Sequence, residues 1–164
     1  MIKLSIIIPV YNSSKILEKL INEINSNLYE TFKNDYEIIL VNDFSNDNSW
    51  EIIKKISEKF NFIKGIDLSY NVGQHGAIFV GLKNSTGDRI IIMDDDLQHP
   101  PQSLISIYEQ LDKFDACYTL YIKRKHVFWK IFVSTLNNFF SSFIFDKPFK
   151  IYTSSMKGVR GDVK

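Results

Sequence analysis

The sequence holds a single cysteine, Cys117, among its 164 residues. No internal disulfide framework is therefore available, and the chain suits a reducing compartment. No stretch reaches the ~20 uninterrupted apolar residues of a transmembrane helix. Met1 runs directly into Lys3 and the strand-like Leu4-Ser5-Ile6-Ile7-Ile8, without the apolar core and small-residue cleavage site of a signal peptide, so no leader is expected. The glycine loops G-x-x-x-x-G-K-[ST] and G-x-G-x-x-G are both missing, which removes the common ATPase and dinucleotide fingerprints. His75, His99, His126 and Cys117 lack the spacing of a zinc site. No G-x-S-x-G elbow offers a nucleophilic serine.

What is present is enough apolar material for one core: 45% of residues are hydrophobic, and the length fits one domain. Leu4 to Val10 is a nearly continuous apolar run ended by Pro9-Val10, as expected of a strand buried on both faces. Asn12-Ser13-Ser14 supplies helix-cap residue types, and Ile16, Leu17, Leu20, Ile21, Ile24 and Leu28 follow with helical spacing. Tyr36 to Val41 is a second buried strand. Asn48 and Glu51 have capping-box spacing before a helix carrying Ile52, Ile53, Ile56 and Phe60. Phe62 to Leu68 is a weaker strand, Gly76 to Lys83 a helix, and Arg89 to Met93 a strand. Pro100-Pro101 opens a helix through Leu111, because proline suits a first turn. Asp115 to Leu120 is a further candidate strand. Alternation of strand and helix predicts an α/β fold with a mainly parallel sheet. Ligands of such folds bind beyond the carboxyl ends of the strands, where this sequence places Tyr11-Asn12, Asp43, Asn71 and Asp94-Asp95-Asp96.

The small net charge of +1 hides an asymmetry. Residues 123–164 hold nine Lys/Arg against two acids, while residues 1–122 hold eleven against seventeen. The split fits a cation-binding acidic half and a basic half facing something anionic, although clustering on a solvated surface would give the same count. No nucleic-acid partner is expected. Lys123-Arg124-Lys125-His126 precedes an aromatic stretch in which residues 128, 131, 132, 136, 139, 140 and 143 form one apolar helical stripe. A basic, aromatic, amphipathic helix suits a membrane interface, and the same stripe would also suit a phenylalanine-rich core helix. The chain is accordingly divided into a 1–122 ligand-binding core and a 123–164 acceptor- or membrane-facing segment of the same domain.

Asp94-Asp95-Asp96-Leu97-Gln98 is the strongest local signal. Three consecutive acids repel one another, and a divalent cation relieves that repulsion; Mg²⁺ or Mn²⁺ takes one or two carboxylates and completes its sphere with water and phosphate. In an extended segment Asp94, Asp96 and Gln98 share a face and Asp95 turns away. A solvated acidic turn is the alternative. Asp43, after an apolar strand, suits acceptance from a base N–H or a ribose hydroxyl, and equally suits a turn. Asn71-Val72-Gly73-Gln74-His75-Gly76 is a glycine-bearing turn that could let backbone approach a diphosphate. A phosphoacceptor receiver also carries acids at strand ends, but a cluster on so late a strand fits it poorly.

Taken together, Ile7-Ile8-Pro9-Val10-Tyr11-Asn12, Val41-Asn42-Asp43-Phe44-Ser45, Asn71-Val72-Gly73-Gln74 and Asp94-Asp95-Asp96-Leu97-Gln98-His99-Pro100-Pro101 resemble the family 2 glycosyltransferases. The order and spacing are similar to their GT-A fold, a Rossmann-like, mainly parallel sheet flanked by helices. The D-x-D-L-Q-x-P-P form, with Lys123–His126 and Tyr152–Arg160, resembles the branch that glycosylates polyprenyl or dolichyl phosphate. Ser13-Ser14 stand where members usually carry acids. Members are usually considerably longer, so the chain is expected to be C-terminally truncated relative to them.

The resemblance implies an inverting, metal-dependent transfer from a UDP- or GDP-sugar to an undecaprenyl-type phosphate, at the cytoplasmic face of a membrane, in cell-envelope glycan synthesis. Pro9, Tyr11, Asn12, Asp43, Asn71, Gln74, Asp94 and Asp95 would hold the nucleotide. Asp96 and Gln98 would bind Mg²⁺ or Mn²⁺. Arg124, Lys125 and Arg160 would grip the acceptor phosphate, with Asp96 and Arg124 closest to the chemistry. A soluble transferase acting on a glycan hydroxyl and a non-catalytic nucleotide-sugar-binding module are the alternatives.

Overall fold

The computed structural model describes residues 2–97, 100–120 and 153–163. Gln98, Arg124, Lys125 and the aromatic stripe of residues 128–143 lie outside the described residues. The chain divides into two compact units, Met1–Tyr118 with Ser155–Lys164, and Thr119–Ser154; the fold below is that of the first.

The expected alternation is realised. β1 (Leu4–Val10) leads to α1 (Leu17–Phe32), β2 (Tyr36–Asn42), α2 (Ser49–Lys59), β3 (Ile63–Asp67), α3 (Gly73–Asn84), β4 (Arg89–Ile92), α4 (Gln102–Gln110) and β5 (Ala116–Leu120), then β6 (Thr153–Arg160) and a closing 3-10 turn, Gly161–Val163. The sheet order is β3-β2-β1-β4-β6-β5. β1, β2, β3 and β4 run parallel, and β6 lies antiparallel to β4 with Arg89 opposite Arg160 and Ile92 opposite Lys157.

Period-two alternation assigns the two faces. Leu4, Ile6, Ile8 and Val10 of β1, with Tyr36, Ile38 and Leu40 of β2, pack under α1, α2 and α4 through Leu17, Leu20, Ile24, Ile53, Leu104 and Ile107. Ile7 and Ile39 face the other way, against Ile78 and Ala77 of α3. Every residue of β1 is buried, which explains its nearly continuous apolar run, interrupted by the buried Ser5. α3 approaches β1 so closely that a Cβ on Gly81 would sit 2.4 Å from Ile7 Cγ2.

Three local expectations are corrected. Asn48 precedes α2 but makes no side-chain cap hydrogen bond; Asp47, one residue earlier, accepts instead from the Ser49 N–H at 3.0 Å. The cap-type residues 12–14 do not cap α1, whose N-terminal Ile16 has no side-chain cap bond; their side chains are spent on neighbouring loops. α3 begins at Gly73, about one turn before the expected Gly76; Gly73 has a φ of 78°, and its N–H donates to Asn71 Oδ1 at 3.2 Å.

Candidate donor site

Because β1 is followed by β2 and β3 on one side and the chain then returns to β4 on the other, β1 and β4 form the point where strand order reverses. A crevice opens there, outside the carboxyl ends of the strands. A cavity of about 480 Å³ occupies it, lined by Pro9, Val10, Tyr11, Asp43, Asn71, Gly73, Gln74, Asp94, Asp95 and Asp96. Residues read separately along the sequence as ligand candidates are thus brought to one place by four different loops.

Each loop carries one residue in the left-handed region: Asn12 (φ 55°), Phe44 (φ 56°), Gly73 (φ 78°) and Leu97 (φ 57°). For Phe and Leu that conformation is costly, and such strain concentrates at functional loops. The bend at Asp95–Leu97 also corrects the extended-segment geometry expected for the acids. β4 ends at Ile92, strict alternation stops, and Asp95 turns toward the β1 loop. Its Oδ2 accepts from the Tyr11 N–H at 3.3 Å and from the Ser13 hydroxyl. Burial raises the Asp95 carboxyl above its ordinary range, opposed by the Ser13 and Tyr11 hydrogen bonds. Asp94 Oδ1 accepts from Gln74 Nε2 at 2.7 Å.

Asp43 is 4% exposed. One of its oxygens, Oδ1, receives the Val72 N–H at 2.7 Å, and its backbone carbonyl accepts from Asn71 Nδ2 at 3.0 Å. Asn71 therefore staples the turn with both ends of its amide. Asn12 lies outside the cavity lining; its Oδ1 accepts from the Asn46 N–H at 2.8 Å, and its own N–H donates to Ser45 Oγ at 3.0 Å. Ser13 N–H donates to Ser49 Oγ at 2.9 Å, and Ser14 N–H to Asp47 Oδ2 at 3.0 Å. Burial opposes ionisation of Asp47, but hydrogen bonds from Ser49 and Ser14 outweigh it and hold the carboxyl at about 2. From the sequence, Asp47 and Ser49 carry no assigned role, and Ser45 enters only as the end of the Val41–Ser45 motif. The Asp-x-Ser spacing of a turn was their signal, and the competing Asn48–Glu51 pattern obscured it.

Arg160 is not brought to this cavity. It stands opposite Arg89 at the start of β4, the far end of that strand from Asp94, and is paired with Asp115 at 3.1 Å and Asp162 at 2.7 Å. The resemblance implied a phosphate-gripping role for Arg160, but the antiparallel entry of β6 places it at the opposite end of the strands from the cavity.

Among the described residues no three His, Cys, Asp or Glu side chains converge as a metal cluster. The donor set nevertheless fits a hard divalent ion of the kind held by one or two carboxylates and completed by substrate phosphate and water: Asp94 and Asp96 line the same cavity.

A model of the family described as Glycosyl transferase family 2 matches residues 5–163. The chain belongs to this family. Among solved structures, S. aureus TarS (residues 1–349) is 25% identical with a TM-score of 0.63, the match covering 77% of this chain and 38% of that one. The mannosyltransferase PcManGT from Pyrobaculum calidifontis, in complex with GDP-Man and Mn²⁺, is 16% identical with a TM-score of 0.68, covering 96% and 44%. Glucosyl-3-phosphoglycerate synthase from Mycobacterium tuberculosis, in complex with Mn²⁺, UDP and phosphoglyceric acid, is 15% identical with a TM-score of 0.73, covering 98% and 56%. The family 2 chain thus spans about two-fifths to three-fifths of the length of these proteins, and the likeness places its sheet in the GT-A fold.

Proposed function

We propose that this family 2 chain binds a nucleoside-diphosphate sugar in the β1–β4 cavity and transfers the sugar, with inversion, to a polyprenyl phosphate at the cytoplasmic face of a membrane. The observation that carries the donor half is the convergence of Pro9, Tyr11, Asp43, Asp94 and Asp96 on one cavity at the strand-order reversal. Complexes of TarS with UDP and UDP-GlcNAc and of PcManGT with GDP-Man agree with a uridine or guanosine diphosphate sugar as the ligand class. In this reading Tyr11, half exposed at the rim, offers its ring to the base. The Asp43 oxygen not held by Val72 accepts from base or ribose. Gly73 lets the turn approach the diphosphate without a Cβ, since nothing lies within 4 Å of where one would stand.

Asp96 and Gln98 would hold Mg²⁺ or Mn²⁺, with Asp94 contacting the nucleotide; Mn²⁺ is the ion named in two of the neighbouring complexes. When bound, such an ion neutralises charge on the departing nucleoside diphosphate. The acceptor phosphate attacks the anomeric carbon from the face opposite the leaving group. A phosphate monoester is already largely ionised near neutral pH, so this attack requires no general base, whereas a sugar hydroxyl would require one. Because Arg160 lies at the opposite end of the strands from the cavity, Arg124 and Lys125 carry the acceptor role. Among the described residues no helix is long and apolar enough to cross a membrane.

A non-lipid acceptor is the second reading, favoured by the phosphoglyceric acid in the synthase complex. The test is product analysis with UDP- and GDP-sugars offered to polyprenyl phosphate and to water-soluble acceptors in parallel. Glycosyl-phospholipid of inverted anomeric configuration is the expected product; transfer only to a soluble acceptor contradicts the lipid assignment.

A further inference from the structure

Four loops surround the cavity, and side-chain hydrogen bonds join them in a closed ring. The β1 loop is tied to the β2 loop by Asn12, Ser13 and Ser14 against Ser45, Asn46, Asp47 and Ser49. The β2 loop is tied to the β3–α3 turn by Asp43 with Asn71 and Val72. That turn is tied to the β4 loop by Gln74 and Asp94. The ring returns to the β1 loop through Asp95, whose Oδ2 receives both the Tyr11 N–H and the Ser13 hydroxyl.

We infer that Asp95 is a positioning residue rather than a ligand of nucleotide or metal: it fastens the Tyr11–Ser13 segment to the acidic loop and so holds the two walls of the cavity in register. The inference rests on the donor-site reading above. Its logic is geometric. The oxygen of Asp95 that faces the β1 loop is committed to two donors, and the side chain is half-buried beneath the rim, whereas Asp96 beside it is exposed. Tyr11 presents its ring from the very residue whose N–H is held. Losing the clamp frees Tyr11 without removing any group from the ligand's own contacts, so the cost falls on donor affinity and leaves the metal requirement alone. Ser13 is thereby given a partner. A hydroxyl can donate to Asp95, and a carboxylate there would repel it.

The experiment is a double-mutant cycle. UDP and GDP affinity at saturating Mn²⁺ and the Mn²⁺ half-saturation point are measured for the unsubstituted chain, Ser13→Ala, Asp95→Ala, Asp95→Asn and the Ser13→Ala/Asp95→Ala pair. Hydrogen exchange across residues 11–14 is followed without nucleotide. Asp95→Ala should weaken nucleotide binding about tenfold, the scale of losing hydrogen bonds to a charged group. Ser13→Ala should weaken it less, and the pair no more than Asp95→Ala alone, because coupled partners are non-additive. Asp95→Asn should stay within about threefold, since one amide oxygen can accept from both donors. The Mn²⁺ half-saturation point should not move in any variant. Equal loss in Asp95→Asn and Asp95→Ala, or a shifted Mn²⁺ requirement, would show that the charge acts on the ligand directly and would overturn the inference. If the unsubstituted chain binds neither nucleotide, the donor-site reading fails instead. The clamp is then still read by exchange: protection of residues 11–14 lost in Asp95→Ala and Ser13→Ala but kept in Asp95→Asn supports it, and protection unchanged in Asp95→Ala refutes it.

Discussion

Asp94, Asp95 and Asp96 are adjacent in sequence and unequal in place. Asp94 is held by Gln74, Asp95 is turned to the β1 loop, and Asp96 is the exposed member lining the cavity. The proposal assigns the metal to Asp96, so Asp96→Ala should abolish Mn²⁺-dependent nucleotide binding while leaving the melting temperature within a few degrees; nucleotide affinity that keeps its metal dependence contradicts the assignment. Asp47 carries a pH dependence. Its folded carboxyl, held at about 2, lies below its unfolded value, so its contribution to stability is present above the unfolded pKa of about 3.9 and is lost as pH falls through 2. Asp47→Ala should lower stability at neutral pH and flatten the acid-induced loss between about pH 4 and 2, as followed by thermal melts. At this scale the acids of the site were legible because three in a row at a strand end have few uses. The orientation of Asp95 was not, because it depends on a bend with Leu97 left-handed, a conformation no residue preference announces for leucine.

At the scale of elements, the apolar runs Leu4–Val10 and Tyr36–Val41 announced the central strands because both faces of those strands are covered. β6 escaped for the opposite reason. Thr153-Ser154-Ser155-Met156-Lys157-Gly158-Val159-Arg160 has no apolar run, and its buried side rests on Met156 and Gly158. Pairing with its sheet neighbours β4 and β5 makes it a strand. Gly158 packs where a Cβ would meet Ile107 Cγ2 at 2.5 Å, so a residue that weakens strand propensity is what lets β6 lie under α4. Gly81 has the same logic in a helix. Gly81→Ala would ordinarily stabilise a helix by roughly 1 kcal/mol. Here the added methyl meets Ile7 Cγ2 at 2.4 Å, and overpacking of that kind costs about 1–3 kcal/mol. Denaturant melts should show net destabilisation; a stabilised Gly81→Ala would mean that α3 does not pack on β1 as closely as described.

At the scale of the whole molecule, the acidic and basic residues segregate along the chain, with the excess of acids in residues 1–122 and the excess of bases in 123–164. If the basic segment meets a membrane, co-sedimentation with anionic vesicles should be strong at low ionic strength and fall away above about 0.15 M salt; equal binding to neutral vesicles, or none to either, contradicts that role. The central claim is that the β1–β4 crevice is a metal-dependent nucleotide site. Calorimetric titration of this chain with UDP and with GDP, each with and without Mn²⁺, tests it most directly. The account predicts saturable one-to-one binding of one nucleotide in the presence of Mn²⁺, lost when the ion is chelated. Binding that ignores the metal, or no binding of either nucleotide, would contradict it.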